Sequence, residues 1–239
     1  MKTASDFLKA DLSLTDREPA ILDMFQRGCV PSWSTVRCTV SWMEGGVKVS
    51  AGVAPDYLMI GDDNDFLRIP MQCTTAQKVC DLYGAGMPTR HIVNRIFEQA
   101  NHQLVGNPFP TTHMRDLSTF KASHDHIERQ IDAIGATSRL ETFAGHKKDI
   151  VVSNLLAKHP GHVVIYGFCE SLTDAHTYRF WQPLYAAHTS DWTDYSQCPR
   201  MVYDVNVDGT KYGYAEALQN PSVAHFFSDE GVIATPRYS

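Results

Sequence analysis

The sequence predicts an α+β fold with a mixed or antiparallel sheet, and three observations carry that prediction. Runs of apolar residues alternating at a period of two fall in the strand-rich parts 1–70 and 136–239, and three segments with helical periodicity fall in 71–135 between them. No internal repeat, low-complexity tract or linker divides the 239 residues, so one domain is expected, with the candidate site in its last strand-rich part.

Thr15 to Glu18 reads as a capping box opening a helix that tolerates Pro19 in its first turn and stops at Gly28. The period then changes. Val36, Cys38, Val40 and Trp42 alternate with polar residues, Glu44, Gly45 and Gly46 turn, and Val47, Val49, Ala51 and Val53 alternate again, which predicts a hairpin with one buried face. Tyr57 to Ile60 and Phe66 to Ile69, separated by GDDND, add two strands.

Thr74 is the expected cap of a helix running to Tyr83, with Gly84 behind it. Thr89 caps a second helix with the stripe Ile92, Val93, Ile96, Phe97 and Ala100, and Leu117, Phe120, His124, Ile127, Ile131 and Ile134 define a third that Gly135 ends. GNPFP (106–110) is a rigid turn between them. HVVIYGF (162–168), Tyr178 to Ala187, and Met201 to Val207 before the Asp208–Gly209 turn complete the strands.

Composition is that of an ordinary globular chain, 43% hydrophobic and 20% charged, which excludes general disorder. The net charge of −6, with Lys and Arg scattered, argues against nucleic acid as a partner. The N-terminus lacks the apolar core of a signal peptide and no apolar run is long enough for a bilayer, so a cytoplasmic protein with no membrane partner is expected, a processed secreted one being the alternative. Six cysteines without a CxxC pair predict reduced thiols, with Cys80 in the core.

The stretch HTSDWTDYSQCPRM, His188 to Met201, places a histidine, carboxylates, a serine, a cysteine and an arginine between two strands. If the preceding strand keeps its alternation, His188 shares the inner side of Tyr178, Phe180, Leu184 and Ala186 and sits at the core's rim. A Ser or Cys needs a neighbouring base at neutral pH, which a histidine oriented by a carboxylate supplies. His188 as base, Asp194 as its orienter and Ser196 or Cys198 as nucleophile are therefore the candidate catalytic residues. The bland alternative is a polar connection in which Asp194 or Ser196 makes a local turn, Arg200 pairs with an acid and Cys198 is inert.

A second constellation, Gly145 followed by His146, Lys147, Lys148 and Asp149, suits an anionic or carbonyl-bearing ligand, or else a solvated turn before an apolar strand. These four residues, with Tyr195 and Arg200, are the candidate substrate-binding residues. His124 interrupts an apolar stripe and needs a buried partner. The pairs His124/His126 and His159/His162 match no zinc spacing, Gly84-Ala-Gly86 lacks the rest of a dinucleotide fingerprint, and no phosphate loop exists, so neither metal nor other cofactor is expected.

His188 followed by SQCPR resembles the catalytic string of the L,D-transpeptidases, a histidine followed by Ser-x-Gly-Cys-x-Arg, although no glycine precedes the cysteine here and the string is one residue shorter. That resemblance implies His188 as base, Cys198 as acylated nucleophile and Arg200 as a carboxylate-facing or loop-locking cation. The strings GHKKDIVVSN, HVVIYGF, QPLYAAH and DYS resemble an uncharacterised bacterial family over the second half of the chain. Its pattern has Ser-His-Gly where this chain has Ser196, Gln197 and Cys198, which implies Ser196 with Asp194 and His188, and an incidental Cys198. The function expected is a hydrolase or acyl-transfer enzyme of small amide, ester or peptide substrates. Its rivals are a non-catalytic binding or interaction protein, a phage or bacterial accessory factor recognising its ligand through exposed aromatics around Trp181, Trp192, Tyr195 and Tyr212, and a metal-dependent hydrolase.

Overall fold

The structure, a computed structural model, describes residues 1–174 and 177–239. Two helices open it. Thr3 accepts from Asp6 N and the Asp6 side chain accepts from Thr3 N, a reciprocal cap that starts α1 (Ala4–Lys9), which the sequence reading did not anticipate. Ser13 caps α2 (Leu14–Gln26) through Asp16 N. The start therefore lies ahead of Thr15, and Pro19 falls inside the helix rather than in its first turn. Gly28 takes φ +68° just past its end.

The predicted hairpin forms from β1 (Cys38–Glu44) and β2 (Val47–Val53), turning through Gly45 and Gly46, both at positive φ. β3 (Met59–Gly61) and β4 (Phe66–Arg68) make a separate antiparallel ribbon. α3 (Cys73–Leu82) starts one residue before Thr74 with no side-chain cap, whereas Thr89 does cap α4 (Arg90–Gln99) through Ile92 N. In α5 (Leu117–Ala133) the stripe is buried as far as Ile131, but Ile134 is 49% exposed because the helix has ended.

β5 (His102–Gln103) pairs in parallel with β6 (Phe143–Ala144). β7 (Lys148–Ile150) follows, then the one-turn α6 (Leu155–Lys158) and the long antiparallel pair β8 (Ile165–Asp174) and β9 (Thr177–Tyr185). Along β9 the expected alternation holds, with Trp181 and Tyr185 exposed and Phe180 and Leu184 turned inward. β10 (Gln197–Cys198), β11 (Val202–Val207), β12 (Thr210–Gly213) and α7 (Tyr214–Gln219) end the fold.

One four-stranded sheet has the order β1-β2-β11-β12, the other β10-β7-β8-β9. The first is antiparallel throughout, and the second is mixed because β10 runs parallel to β7. β11 joins β2 across most of the chain, so the two strand blocks of the sequence share a sheet. Buried apolar side chains from both sheets and from α1 to Tyr238 form one continuous cluster. No helix among the described residues is long and apolar enough to cross a membrane.

Candidate functional site

β7 is the strand on which the two candidate segments meet. Lys148 pairs with Gln197 and Asp149 with Cys198, and Lys148 N donates to Ser196 O at 2.6 Å. On the other side, β8 sets Tyr166 opposite Asp149 and Gly167 opposite Lys148. The GHKKD and SQCPR strings thus become neighbouring strands of one sheet.

Around that junction the interior is charged. Asp56, Arg68, His146, Lys147, Asp149, Asp194 and Arg200 are all buried, where an unpaired charge would cost several kcal/mol. Asp56 is saturated. Its Oδ2 accepts from Arg68 Nε (3.0 Å) and Nη2 (2.6 Å), and its Oδ1 accepts from Tyr57 N (2.6 Å) and faces His146 Nε2 at 3.0 Å. Burial pushes this carboxyl up, but Arg68 and His146 overcome it and hold Asp56 well below the usual carboxylate range. Arg68 also donates to Glu128 Oε1 at 2.6 Å, and its backbone N–H donates to His124 Nδ1 at 3.3 Å. His124 therefore has its partner. Burial holds His124 down to about 2 and His146 to about 4, so both imidazoles are neutral.

Asp149 is as buried as Asp56 but much less satisfied. Its Oδ2 accepts from Tyr57 Oη at 2.8 Å, while Oδ1 has no hydrogen-bond partner among the described residues and lies 3.9 Å from Arg200 Nε. Tyr57 Oη lies 3.0 Å from Lys147 O as well, so one phenolic proton faces two acceptors. Burial pushes the Asp149 carboxyl up to about 7, opposed by the Arg200 charge and by the Tyr57 hydrogen bond. The Arg200 guanidinium stacks 4.4 Å over the Tyr57 ring and is tethered to the carbonyls of Ala54 (3.0 Å) and Phe143 (2.5 Å).

These groups line a narrow pocket of about 10 Å³, whose other wall is apolar: Val93, Ile96, Phe97, Phe168 and Phe180. Two backbone features shape it. Gly145 has φ +99°, and a Cβ there would lie 2.4 Å from Leu104 O, so only glycine fits. Phe168 is a non-glycine residue at φ +70°, a conformation that costs on the order of 1 kcal/mol or more and collects at ligand-contacting positions.

The 188–200 loop is differently arranged from the expectation. His188 stacks on Trp192, with ring centroids 4.6 Å apart and planes at 9°, and meets the edge of Tyr185 at 5.3 Å. Burial lowers its pKa, opposed by the nearby Asp194. No hydrogen bond joins its imidazole to Ser196 or Cys198 among the described residues. Ser196 Oγ instead donates to Asp194 Oδ1 at 2.5 Å, and Ser196 N donates to the same oxygen at 2.7 Å, a local Asx turn. Asp194 Oδ2 accepts from Trp192 Nε1 at 3.2 Å and lies 4.0 Å from Lys148 Nζ. Cys198 is fully buried with Sγ 3.2 Å from Ile69 O, and burial pushes its thiol up to about 12. It is a poor match to the nucleophile that the transpeptidase resemblance implies, because the reactive species is the thiolate.

Among the candidate binding residues, Asp149, Arg200 and Lys147 line the pocket. The Lys147 ammonium is occupied by Ser123 Oγ (2.9 Å) and Tyr195 O (2.5 Å), and burial holds it down to about 8. His146 is engaged by Asp56, and Lys148 faces Asp194 and the Phe168 ring. Tyr195, expected among exposed aromatics, is buried because its hydroxyl accepts from Phe109 N at 2.7 Å while its ring packs on Phe109. The expectation of a surface Tyr195 is corrected accordingly.

The sequence reading missed Asp56, Tyr57 and Arg68. Arg68 had a visible signal, a lone cation in the apolar run FLRI, which requires a buried acid. Tyr57 had none, since a strand tyrosine is ordinary. Comparison of the chain with family models, with curated proteins and with solved structures finds no match. What the pocket does must be argued from its own atoms.

Proposed function

We propose that the protein is a hydrolase of small amide or ester substrates in which Asp149 is the general base. The observation that carries this reading is a buried carboxyl, held up to about 7, with one oxygen free in a pocket and Arg200 Nε 3.9 Å from it. A water that donates to Asp149 Oδ1 and accepts from Arg200 Nε at ordinary hydrogen-bond lengths spans that separation. In the proposed step Asp149 takes the water proton as the hydroxyl oxygen bonds to the substrate carbonyl carbon, and Tyr57 bridges the protonated carboxyl to Lys147 O. The proton on Asp149 then goes to the departing amine or alkoxide. Val93, Ile96, Phe97 and Phe180 offer the acyl group an apolar wall.

The covalent version, with Ser196 as nucleophile, His188 as base and Asp194 as orienter, is opposed by one contact, the 2.5 Å bond from Ser196 Oγ to Asp194. It requires that hydroxyl to turn from Asp194 to His188. Single variants separate the two. On a panel of chromogenic esters and anilides, Asp149→Asn is expected to lower kcat by about 10²–10⁴-fold, with Ser196→Ala and His188→Ala turning over within about tenfold of the parent. Loss in Ser196→Ala with turnover kept in Asp149→Asn would transfer the chemistry to the loop. No turnover of any panel member by the parent protein would remove the hydrolase reading and leave a binding pocket.

A further inference from the structure

Away from Asp149, a second small cavity of about 10 Å³ lies between α2, the segment entering α5 and the 188–200 loop. Arg17 and Glu18 of α2, Arg115 and Thr193 supply its polar atoms. Arg115 Nε and Thr193 Oγ1 are both buried, and neither has a hydrogen-bond partner among the described residues. Thr193 is only 6% exposed.

Gln72 lines the cavity too, and several of the polar atoms around it are engaged. Arg17 Nε and Nη1 donate to Leu12 O and Arg115 O, Arg115 Nη2 donates to Asp191 O, and Glu18 Oε2 accepts from Gln72 N. A guanidinium Nε–H only donates, so whatever completes Arg115 must be an acceptor, and the threonine hydroxyl turns to donate to the same atom. Two guanidiniums share the cavity wall with one carboxyl, Glu18, which burial pushes above its ordinary value. Asp11 and Asp116 meet Arg17 in a separate surface hollow. Both the hydrogen-bond polarity and the charge of the cavity therefore favour an anion. Its room, close to that of a single water-sized sphere, is far below the roughly 300–1,000 Å³ of drug-sized ligand sites.

We propose that this cavity binds one small monovalent anion, a halide or formate. The anion accepts from Arg115 Nε and Thr193 Oγ1 and removes the burial cost of leaving them unpaired.

The test is the excess ³⁵Cl NMR line width of chloride in the presence of the full chain at fixed ionic strength, with formate as competitor. Saturable broadening is expected for the parent protein. Thr193→Val, close in shape but without the hydroxyl, is expected to weaken the site about tenfold, the worth of one hydrogen bond to an ion. Arg115→Gln should weaken it further, and Arg179→Gln, at an exposed site on β9, should leave it unchanged. Suppression of the broadening by formate assigns the site to formate as well as halides, and persistence of it assigns the site to halides. Absence of saturable broadening, or equal broadening in Thr193→Val and the parent, overturns the proposal. Thr193→Val keeps the test decisive should Arg115→Gln fail to fold.

Discussion

Asp56 and Asp149 are two aspartates at 3% exposure that touch the same tyrosine, one through its backbone N–H and the other through its hydroxyl. Four donors converge on Asp56, two of them from Arg68, and it stays ionised. Asp149 has one donor, shared with a carbonyl, and a cation held 3.9 Å away by carbonyls of its own. Burial is the same for both, so it is the number of committed donors that separates a structural anion from a carboxyl that holds its proton near neutrality. The Asp56 side braces the junction of the β3–β4 ribbon, α5 and the second sheet, and the Asp149 side borders a narrow pocket.

The largest expected effects come from exchanging the two acids for their amides. Asp149→Asn should cost about 10²–10⁴ in turnover while leaving the fold intact, since the amide keeps an acceptor for Tyr57. Asp56→Asn should instead cost about 3–5 kcal/mol of stability, because it leaves the Arg68 guanidinium buried without its main counter-charge. Chemical denaturation of both variants reads the difference. Equal destabilisation would erase the contrast between the two sides.

The pH dependence of stability should carry opposite signs from the two sides. Between the ordinary carboxylate pKa and about 7 the folded Asp149 holds a proton that the unfolded chain has lost, so its contribution falls as pH rises through that window. His146 and His124, held down to about 4 and 2, behave oppositely: below about 6.5 the unfolded chain binds protons that they do not, so stability falls as pH drops. Asp149→Asn should therefore gain in Tm relative to the parent at pH 8 and lose that gain near pH 5. A Tm difference independent of pH would contradict the raised carboxyl.

Smaller effects sharpen the comparison. Tyr57→Phe removes the one donor that Asp149 has, so its pKa should rise further and the activity–pH profile should move upward, at a stability cost of about 1–3 kcal/mol. Cys198 should resist iodoacetamide in the native state, and Cys198→Ala should leave turnover within about twofold once its cavity cost of ~1–2 kcal/mol is tolerated.

Local periodicity made most of the fold legible. The β1–β2 hairpin, the stripes of α4 and α5 and the glycines behind α2, α3 and α5 are each set by neighbours in sequence. Helix starts were less legible where a nearer cap competed, as Ser13 did with Thr15. Pairings across the chain were not legible at all: nothing near Val202 announces that β11 will lie on β2, or that the two-residue β10 will run parallel to β7. The site followed the same division. Both polar strings fall on strands that border the pocket, and Asp149 and Arg200, which line it, were among the candidates. Their chemistry depends on Tyr57 and Asp56, some ninety residues upstream of β7, a proximity that only the folded chain creates. The loop that read most like a catalytic triad is held by its own turn, with Asp194 binding Ser196 and His188 stacked on Trp192.

The protonation state of Asp149 is open to direct measurement. A ¹³C NMR titration of the side-chain carboxyls, with the Asp149 resonance assigned by its loss in Asp149→Asn, should give a midpoint near 7. A midpoint at or below about 3.9, the value of a free aspartate, would mean that Arg200 and Tyr57 already satisfy this carboxylate, and that the pocket holds no base.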